Sequence, residues 1–300
     1  MQNKLVIIDG TALLFRMYFA KLTFTSTDGV EVGGVLGATQ TVKKIIKTLK
    51  PKYVAAVFDA GSKTFRNDIA SDYKANRGAP PEDLKPQFDL VYEAIAALGI
   101  RCFKRKGYEA DDLMVSLAKQ VNALGVAVQM VTDDKDVAQV VKDGEHPIQQ
   151  VLFAKKLVWG EQEVRDKFGV RPDQLIDYLS MIGDSVDNIK GIAGVGPKSA
   201  AALLNQFGTL QEIYQQLESV ADMKVRGAKS LQRKLEEGRA DVHLAKKLIE
   251  LKVDMDLGSE HLLEDLEYIG PSEQDISTYE KLGFTQPYRE LKWWMTTSQL

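Results

Sequence analysis

Acidic residues stand where short apolar runs stop. Asp9 closes Leu5-Val6-Ile7-Ile8, Asp59 follows Val57-Phe58, and Asp134 and Asp136 come just after Val131 in Thr132-Asp133-Asp134-Lys135-Asp136. Glu109, Asp111 and Asp112 open a helical pattern that continues through Leu113, Leu117 and Val121. Asp184 and Asp187 lie three apart in Gly183-Asp184-Ser185-Val186-Asp187-Asn188, so a helical turn would place both on one face. Acids in a helix's first turn are often simple caps, contributing about 0.3–1 kcal/mol each through the dipole. For the 109–112 trio alone, that reading is as good as a chemical one. The whole set is harder to explain this way. Groups beyond the carboxyl ends of strands in an open α/β sheet converge on one crevice, where carboxylates repel unless a cation compensates. Oxygen donors without paired His or Cys suit Mg²⁺ or Mn²⁺ rather than zinc. Two such ions about 4 Å apart can clamp the attacking and leaving oxygens of a phosphodiester, and no histidine base is then required.

Directly behind Asp184 and Asp187 runs Gly191-Ile192-Ala193-Gly194-Val195-Gly196-Pro197-Lys198, followed by a helical pattern. A Gly-rich turn ahead of a helix presents backbone N–H groups and a helix N-terminus to phosphate. No strand precedes it, which excludes a Walker A loop or a dinucleotide fingerprint. Such a turn is by itself commonly a tight helix–helix connection, and its place behind two candidate ligands favours a grip on a nucleic-acid backbone.

These side chains need a scaffold. Leu5–Ile8, Val54–Phe58 and Val126–Val131 read as buried strands because they are almost continuously apolar. Helical patterns over Gly37–Leu49, Asp89–Leu98 and from Ala110 alternate with them, which predicts an α/β fold with a mainly parallel sheet covered on both faces. Strand signals stop after about residue 172. Helices are expected over Pro172–Ile182, Lys198–Gln206, Leu210–Leu217, Gly227–Glu237 and Val242–Leu251, dividing the chain into residues 1–171 and 172–300. The polar stretch Ser62–Asp83 has weak apolar periodicity and reads as an excursion from the compact fold.

With 300 residues, 44% of them hydrophobic, the chain can bury a large core. Cys102 is the one cysteine and there are three histidines, so a disulfide framework or a zinc module is excluded. No basic leader or apolar run of membrane length is seen, and a soluble cytoplasmic chain is expected. The net charge of −3 conceals opposed segments. Lys224, Arg226, Lys229, Arg233, Lys234 and Arg239 form a basic run, whereas 254–275 is acidic with no Lys or Arg. Either run alone reads as a solvated helix face.

Taken in order, Phe58-Asp59, Thr64-Phe65-Arg66, Tyr73-Lys74-Ala75-Asn76-Arg77, Gly107-Tyr108-Glu109-Ala110-Asp111-Asp112, the Thr132–Asp136 motif, Gly183–Asn188 and Gly191–Lys198 resemble the bacterial 5′-nuclease (flap endonuclease) family, over about residues 4–250. That family includes the 5′→3′ exonuclease domain of DNA polymerase I. The resemblance implies a PIN-like sheet followed by a helical domain with a helix–three-turn–helix module. It implies a monomeric enzyme that cuts DNA at 5′ flaps, nicks or gaps by a two-metal-ion mechanism, with Mg²⁺ or Mn²⁺. Asp9, Asp59, Glu109, Asp111 and Asp112 match the first metal site and its surround, and Asp134, Asp136, Asp184 and Asp187 the second. All nine positions are acidic here. Residues 62–83 match a helical arch over the site, mobile without DNA, in which Lys74 and Arg77 contact the scissile phosphate and Tyr73 offers a stacking face. Gly191, Gly194, Gly196 and Lys198 match the turn that grips duplex backbone and can hold K⁺. Asp133 is an extra acid without an assigned role, and Trp293-Trp294 lies outside the matched region and reads as tail packing.

Two other functions compete. PIN-type ribonucleases share the sheet and metal chemistry but are typically shorter and lack the Gly-rich helical module. A DNA-structure-binding protein without catalysis would have no use for nine acids that repel phosphate.

Overall fold

The computed structural model describes residues 2–225, 227–271 and 273–284. Six strands, β1 (Gln2–Asp9), β2 (Pro51–Phe58), β3 (Arg101–Lys104), β4 (Ala127–Val131), β5 (Ile148–Leu152) and β6 (Leu157–Trp159), form a sheet in the order β3-β2-β1-β4-β5-β6. All pairings are parallel except β5–β6. The central strands are buried on both faces, as their unbroken apolar runs require. β3 and β5 escape the sequence reading because Arg101-Cys102-Phe103-Lys104 and Ile148-Gln149-Gln150 are mixed in polarity, and β6 because it is three residues long. Gln150 is nonetheless fully buried, its Nε2 donating to the carbonyls of Thr132 and Asp134.

On one face lie α1 (Gly10–Phe19), α2 (Gly33–Leu49) and α4 (Gln87–Ala96), packed on Val6, Ile8, Val54 and Phe58. On the other, α5 (Ala110–Ala123) packs on Leu5, Ile7, Val128 and Met130, and the same core continues into the helical half. That half comprises α7 (Leu175–Ile182), α8 (Pro197–Phe207), α9 (Leu210–Gln215), α10 (Ala228–Glu237) and α11 (Arg239–Ile249), after α6 (Glu161–Phe168). The expectation of no strands beyond 172 needs one correction. Gly183–Asp184 (β7) and Ile189–Lys190 (β8) pair antiparallel and tie the ends of the loop carrying Asp184 and Asp187. Asn188, at φ +58°, makes the turn.

The segment expected to form an arch carries helix only over Phe65–Ile69 (α3), followed by turns. This segment has few apolar anchors, its buried residues being Thr64, Arg66 and Tyr73. Its middle is also bonded to the β7–β8 loop, through Asn76 Nδ2 to the Ser185 carbonyl (2.7 Å), Asn188 Nδ2 to the Asp72 carbonyl (2.7 Å) and Lys74 N–H to the Asp187 carbonyl (2.9 Å).

The acidic 254–275 stretch follows its bland reading, with Asp254, Asp256, Glu260, Glu264 and Glu267 exposed around buried Met255 and Leu266. After α12 (Leu262–Leu266) the chain returns to the first half. Tyr268 N–H donates to the Lys52 carbonyl, and Tyr279 and Phe284, from α13 (Glu273–Lys281) onward, are buried on the α1–α2–α4 face. Among the described residues no helix is long and apolar enough to cross a membrane. Arg226 and Trp293-Trp294 lie outside the described residues.

Candidate metal centre and its basic clamp

Asp9 is both the last residue of β1 and the N-cap of α1. Its Oδ1 accepts the Ala12 N–H at 2.9 Å and its Oδ2 the Thr132 hydroxyl at 3.0 Å, which aims the carboxylate at the end of the sheet. Gly10 lets the turn close tightly, since a Cβ there would sit 2.2 Å from the Phe58 ring. Asp59, one residue beyond β2, accepts the Ala110 N–H at 2.8 Å and so locks β2 to the start of α5. Glu109 caps α5, and Asp111 occupies its first turn. Asp134 follows β4 and accepts the Asp136 N–H at 2.9 Å.

Burial drives the carboxyl of Asp9 up to about 7, with the charges of Asp59 and Asp134 adding to the rise and the Ala12 N–H opposing it. Burial raises Asp111 well above the carboxylate range, reinforced by Asp134, Asp9, Glu109 and Asp59. These five acids therefore form one electrostatic group. The second group is geometric: one oxygen each from Asp136, Asp184 and Asp187 lies within 4.8 Å of the others. Asp136 rises to about 7, through burial first and then the charge of Asp134, against the pull of Lys135. Asp134 thus belongs to both groups.

Asp111 Oδ1 is buried without a hydrogen-bond partner, and so is Asp136 Oδ1, which lies 3.4 Å from Lys135 Nζ. Buried polar atoms normally have partners. Two buried carboxylate oxygens without a hydrogen bond, one in each group of an all-oxygen donor set and that of Asp136 already beside the Lys135 ammonium, fit divalent cations.

Basic side chains already reach into this cluster. Lys74 Nζ donates to Glu109 Oε1 at 2.7 Å and lies 3.7 Å from Asp187 Oδ2, and Arg77 pairs with Asp187. Lys135 pairs with Asp184. Burial works against the charge of Lys74, but Glu109 and Asp187 outweigh it and raise its affinity for a proton. Burial likewise works upward on Asp184, but the bond and charge of Lys135 and two backbone N–H groups hold it below its ordinary value.

Three assignments change. Asp112 is not positioned as a metal ligand: it is fully buried, and both oxygens are occupied by the Arg66 guanidinium and the N–H groups of Glu109 and Lys252. Tyr73 offers no stacking face. Its ring is 5% exposed within the core, and its hydroxyl lies 3.1 Å from Glu109 Oε2 and 3.3 Å from Asp187 Oδ2. Gly191 is a packing residue, because a Cβ there would meet Gly183 N at 2.3 Å. Gly196, by contrast, precedes α8 with nothing within 4 Å of where its Cβ would be, and Lys198 is exposed in the first turn of that helix. Gly194, at φ +74°, offers its carbonyl to Lys234 Nζ of α10 at 3.1 Å, which brings the basic run beside the turn. Asp133 pairs with Arg16, and both line a cavity of about 910 Å³ that Asp9 and Asp134 also line.

Sequence reasoning assigned no part to Arg66 or Lys135. Lys135 was recoverable, as the lone cation within Asp133-Asp134-Lys135-Asp136; nothing in the spacing of Arg66 announces its partners, which lie 46 and 182 residues away.

A sheet of this topology with a carboxylate cluster at its carboxyl edge, joined to a bundle of short helices, defines a two-part nuclease fold. The chain belongs to the 5′–3′ exonuclease family. Residues 4–169 match the 5′–3′ exonuclease N-terminal resolvase-like domain and 170–274 the family's C-terminal SAM fold. The 5′–3′ exonuclease of Bacillus subtilis is 36% identical over 263 residues, covering 85% of each chain. That of Buchnera aphidicola from Acyrthosiphon pisum is 31% identical, covering 84% of this chain and 88% of its own. DNA polymerase I of Rhizobium leguminosarum is 36% identical, but this chain spans only 25% of its length. Among solved structures, bacteriophage T5 flap endonuclease in a pseudo-enzyme–product complex with DNA and metal ions aligns with a TM-score of 0.68 at 20% identity, over 92% of this chain and 99% of that one. T5 5′-exonuclease with bound zinc aligns with a TM-score of 0.69 at 19% identity, over 93% and 99%. Likeness at these identities defines the fold.

Proposed function

We propose that the protein is a metal-dependent, structure-specific 5′ nuclease that hydrolyses DNA phosphodiesters at 5′ flaps, nicks or gaps, with 5′→3′ exonuclease and flap endonuclease activity. The observation that carries this is the pair of acidic groups, Asp9/Asp59/Glu109/Asp111/Asp134 and Asp136/Asp184/Asp187, meeting at Asp134 at the carboxyl edge of a parallel sheet. These residues would hold two Mg²⁺ or Mn²⁺ ions, which supply positive charge to the attacking and leaving oxygens when bound. Asp112 is left out of the ligand set.

Lys74 and Arg77 are the mobile charge of the site. Without substrate they neutralise Glu109 and Asp187; with substrate they transfer to the scissile phosphate, where a guanidinium fork matches phosphate oxygens. Gly196 and Lys198 hold the duplex backbone, and the Lys224–Arg239 run extends that hold. A K⁺ at the Gly191–Gly196 turn would have to share the Gly194 carbonyl with Lys234. We assign the chain to the cytoplasm as a monomer acting on replication or repair intermediates.

The test is cleavage of a 5′-flap duplex with Mn²⁺, with EDTA and single-stranded RNA in parallel. Metal-dependent flap cleavage is expected, abolished by Asp134→Ala or Asp184→Ala while DNA binding in EDTA stays within a few-fold. Absence of cleavage would favour a pure binder, and faster cutting of RNA would make the protein a ribonuclease.

A further inference from the structure

Arg66 and Asp112 form a buried node beside the metal centre, their side chains 1% and 0% exposed. The guanidinium donates from Nη1 to Asp112 Oδ2 at 2.7 Å and from Nη2 to Oδ1 at 2.9 Å. Its Nε donates to the Leu248 carbonyl at 2.7 Å, and Nη2 also reaches the Glu250 carbonyl at 3.3 Å. Asp112 takes two more bonds, from the N–H of Lys252 at 2.9 Å and of Glu109 at 3.1 Å. Arg66 Nη1 lies 3.6 Å from Glu109 Oε2, on the side of that carboxylate away from Lys74. The node therefore has two ends: a candidate metal ligand, and the segment 248–252 where the chain leaves α11 of the helical half.

Stability alone does not call for such a pair. Apolar residues of similar volume commonly do as well or better than a buried ion pair, whereas removing one partner alone strands a buried charge and is strongly destabilising. We propose that Arg66 is a positioning residue. It withdraws Asp112 from the ligand set and holds Glu109 in place for the metal, and it ties that placement to the seat of the helical half through Leu248 and Glu250. The statement about Asp112 concerns metal binding alone; the consequence for turnover rests on the nuclease reading above. Lysine cannot reproduce the role, because its single ammonium lacks the planar fork that spans Asp112 and both carbonyls.

The experiment measures Mn²⁺ binding to the full chain without DNA, by titration calorimetry and electron paramagnetic resonance. Melting temperature and single-turnover flap cleavage are read on the same preparations. Asp112→Asn is expected to bind the wild-type number of Mn²⁺ ions, whereas Asp111→Asn loses one. Arg66→Lys is expected to weaken Mn²⁺ binding by about ten-fold or more, in the range of other ligand-orienting residues, and to slow single-turnover cleavage with little change in KM. The paired apolar variant Arg66→Met/Asp112→Leu is expected to recover melting temperature without recovering Mn²⁺ affinity; it also decides the matter if Arg66→Lys does not fold. Loss of an ion in Asp112→Asn would make Asp112 a ligand and overturn the assignment. Recovery of both stability and Mn²⁺ affinity in the paired variant would reduce Arg66 to a structural role. Wild-type protein that binds Mn²⁺ but cuts no flap would instead overturn the nuclease reading and leave the ligand assignment standing.

Discussion

Lys74 Nζ meets Glu109 Oε1 at 2.7 Å from a backbone turned into the left-handed region, φ +56°. For a residue with a Cβ that conformation costs about 1–2 kcal/mol, and strain of this kind persists where surrounding contacts over-determine it. Here the contacts are the Lys74 N–H on the Asp187 carbonyl and the ion pair itself. Lys74→Ala keeps the strain and loses the charge. Single-turnover flap cleavage is expected to fall by about 10² or more, as for a lost transition-state donor, with DNA affinity in EDTA nearly unchanged. Lys74→Gly should be equally slow but melt higher than Lys74→Ala. Weakened binding with an unchanged single-turnover rate would contradict the role.

Metal-free protein should lose stability as pH rises. Asp9 and Asp136 have carboxyls near 7 in the folded chain against 3.8 ordinarily. The folded state therefore binds more protons than the unfolded one between these values, and stability falls through that window. Asp184, held below its ordinary value, stabilises the folded chain throughout this window and loses that contribution only as pH falls below it. In EDTA the melting temperature is expected to be lower at pH 7.5 than at pH 5. Mn²⁺ should raise it more at pH 7.5, because the ion takes ionised carboxylates. A melting temperature that climbs with pH in EDTA would show that the acids are not mutually destabilised.

The glycines of the turn should separate into two kinds. Gly191→Ala places a methyl against backbone atoms of Gly183 and Met181 and is expected to destabilise the protein by about 1–3 kcal/mol. Gly196→Ala meets nothing in the free protein, so its melting temperature should hold. Its affinity for nicked duplex should drop if a phosphate backbone approaches there. Equal melting temperatures for the two variants would refute the packing role of Gly191.

Lys198→Ala tests the duplex grip. Losing one phosphate contact should make the slope of log affinity against log salt shallower by about 0.9. Fluorescence anisotropy at several salt concentrations reads this directly, and an unchanged slope removes Lys198 from the interface.

The strand-terminal acids were legible because their signal is local: an apolar run ending in Asp9 or Asp59 says both where the strand stops and where the carboxylate points. The helical half was legible for the same reason, its caps and Gly turns being read within a few residues. What escaped depends on distant partners. Asp112 looks like Asp111 in sequence, and only Arg66 with the segment after α11 distinguishes them. Tyr73 looks exposed within a polar stretch, yet its ring fills the core beneath Lys74. β5 was hidden by Gln149 and Gln150, since a buried glutamine whose Nε2 donates to two carbonyls breaks the apolar pattern without breaking the strand.

The returning C-terminal segment sets an order in time. Tyr268, Tyr279, Leu282 and Phe284 complete the core that Val6, Ile8, Val54 and Phe58 begin. The Tyr279 hydroxyl closes on the Ala94 carbonyl at 2.7 Å. During synthesis at about 5–20 residues per second, the stretch from Gly160, just past β6, to Phe284 takes on the order of ten seconds to appear. For that interval the first-made half has every sheet strand but an unfinished apolar face. The closing contacts lie at the amino ends of the strands, where Tyr268 meets Lys52 and Glu267 bridges Tyr53, opposite the edge that bears Asp9 and Asp59. The acid-bearing ends are therefore written long before the far end of the same strands is sealed.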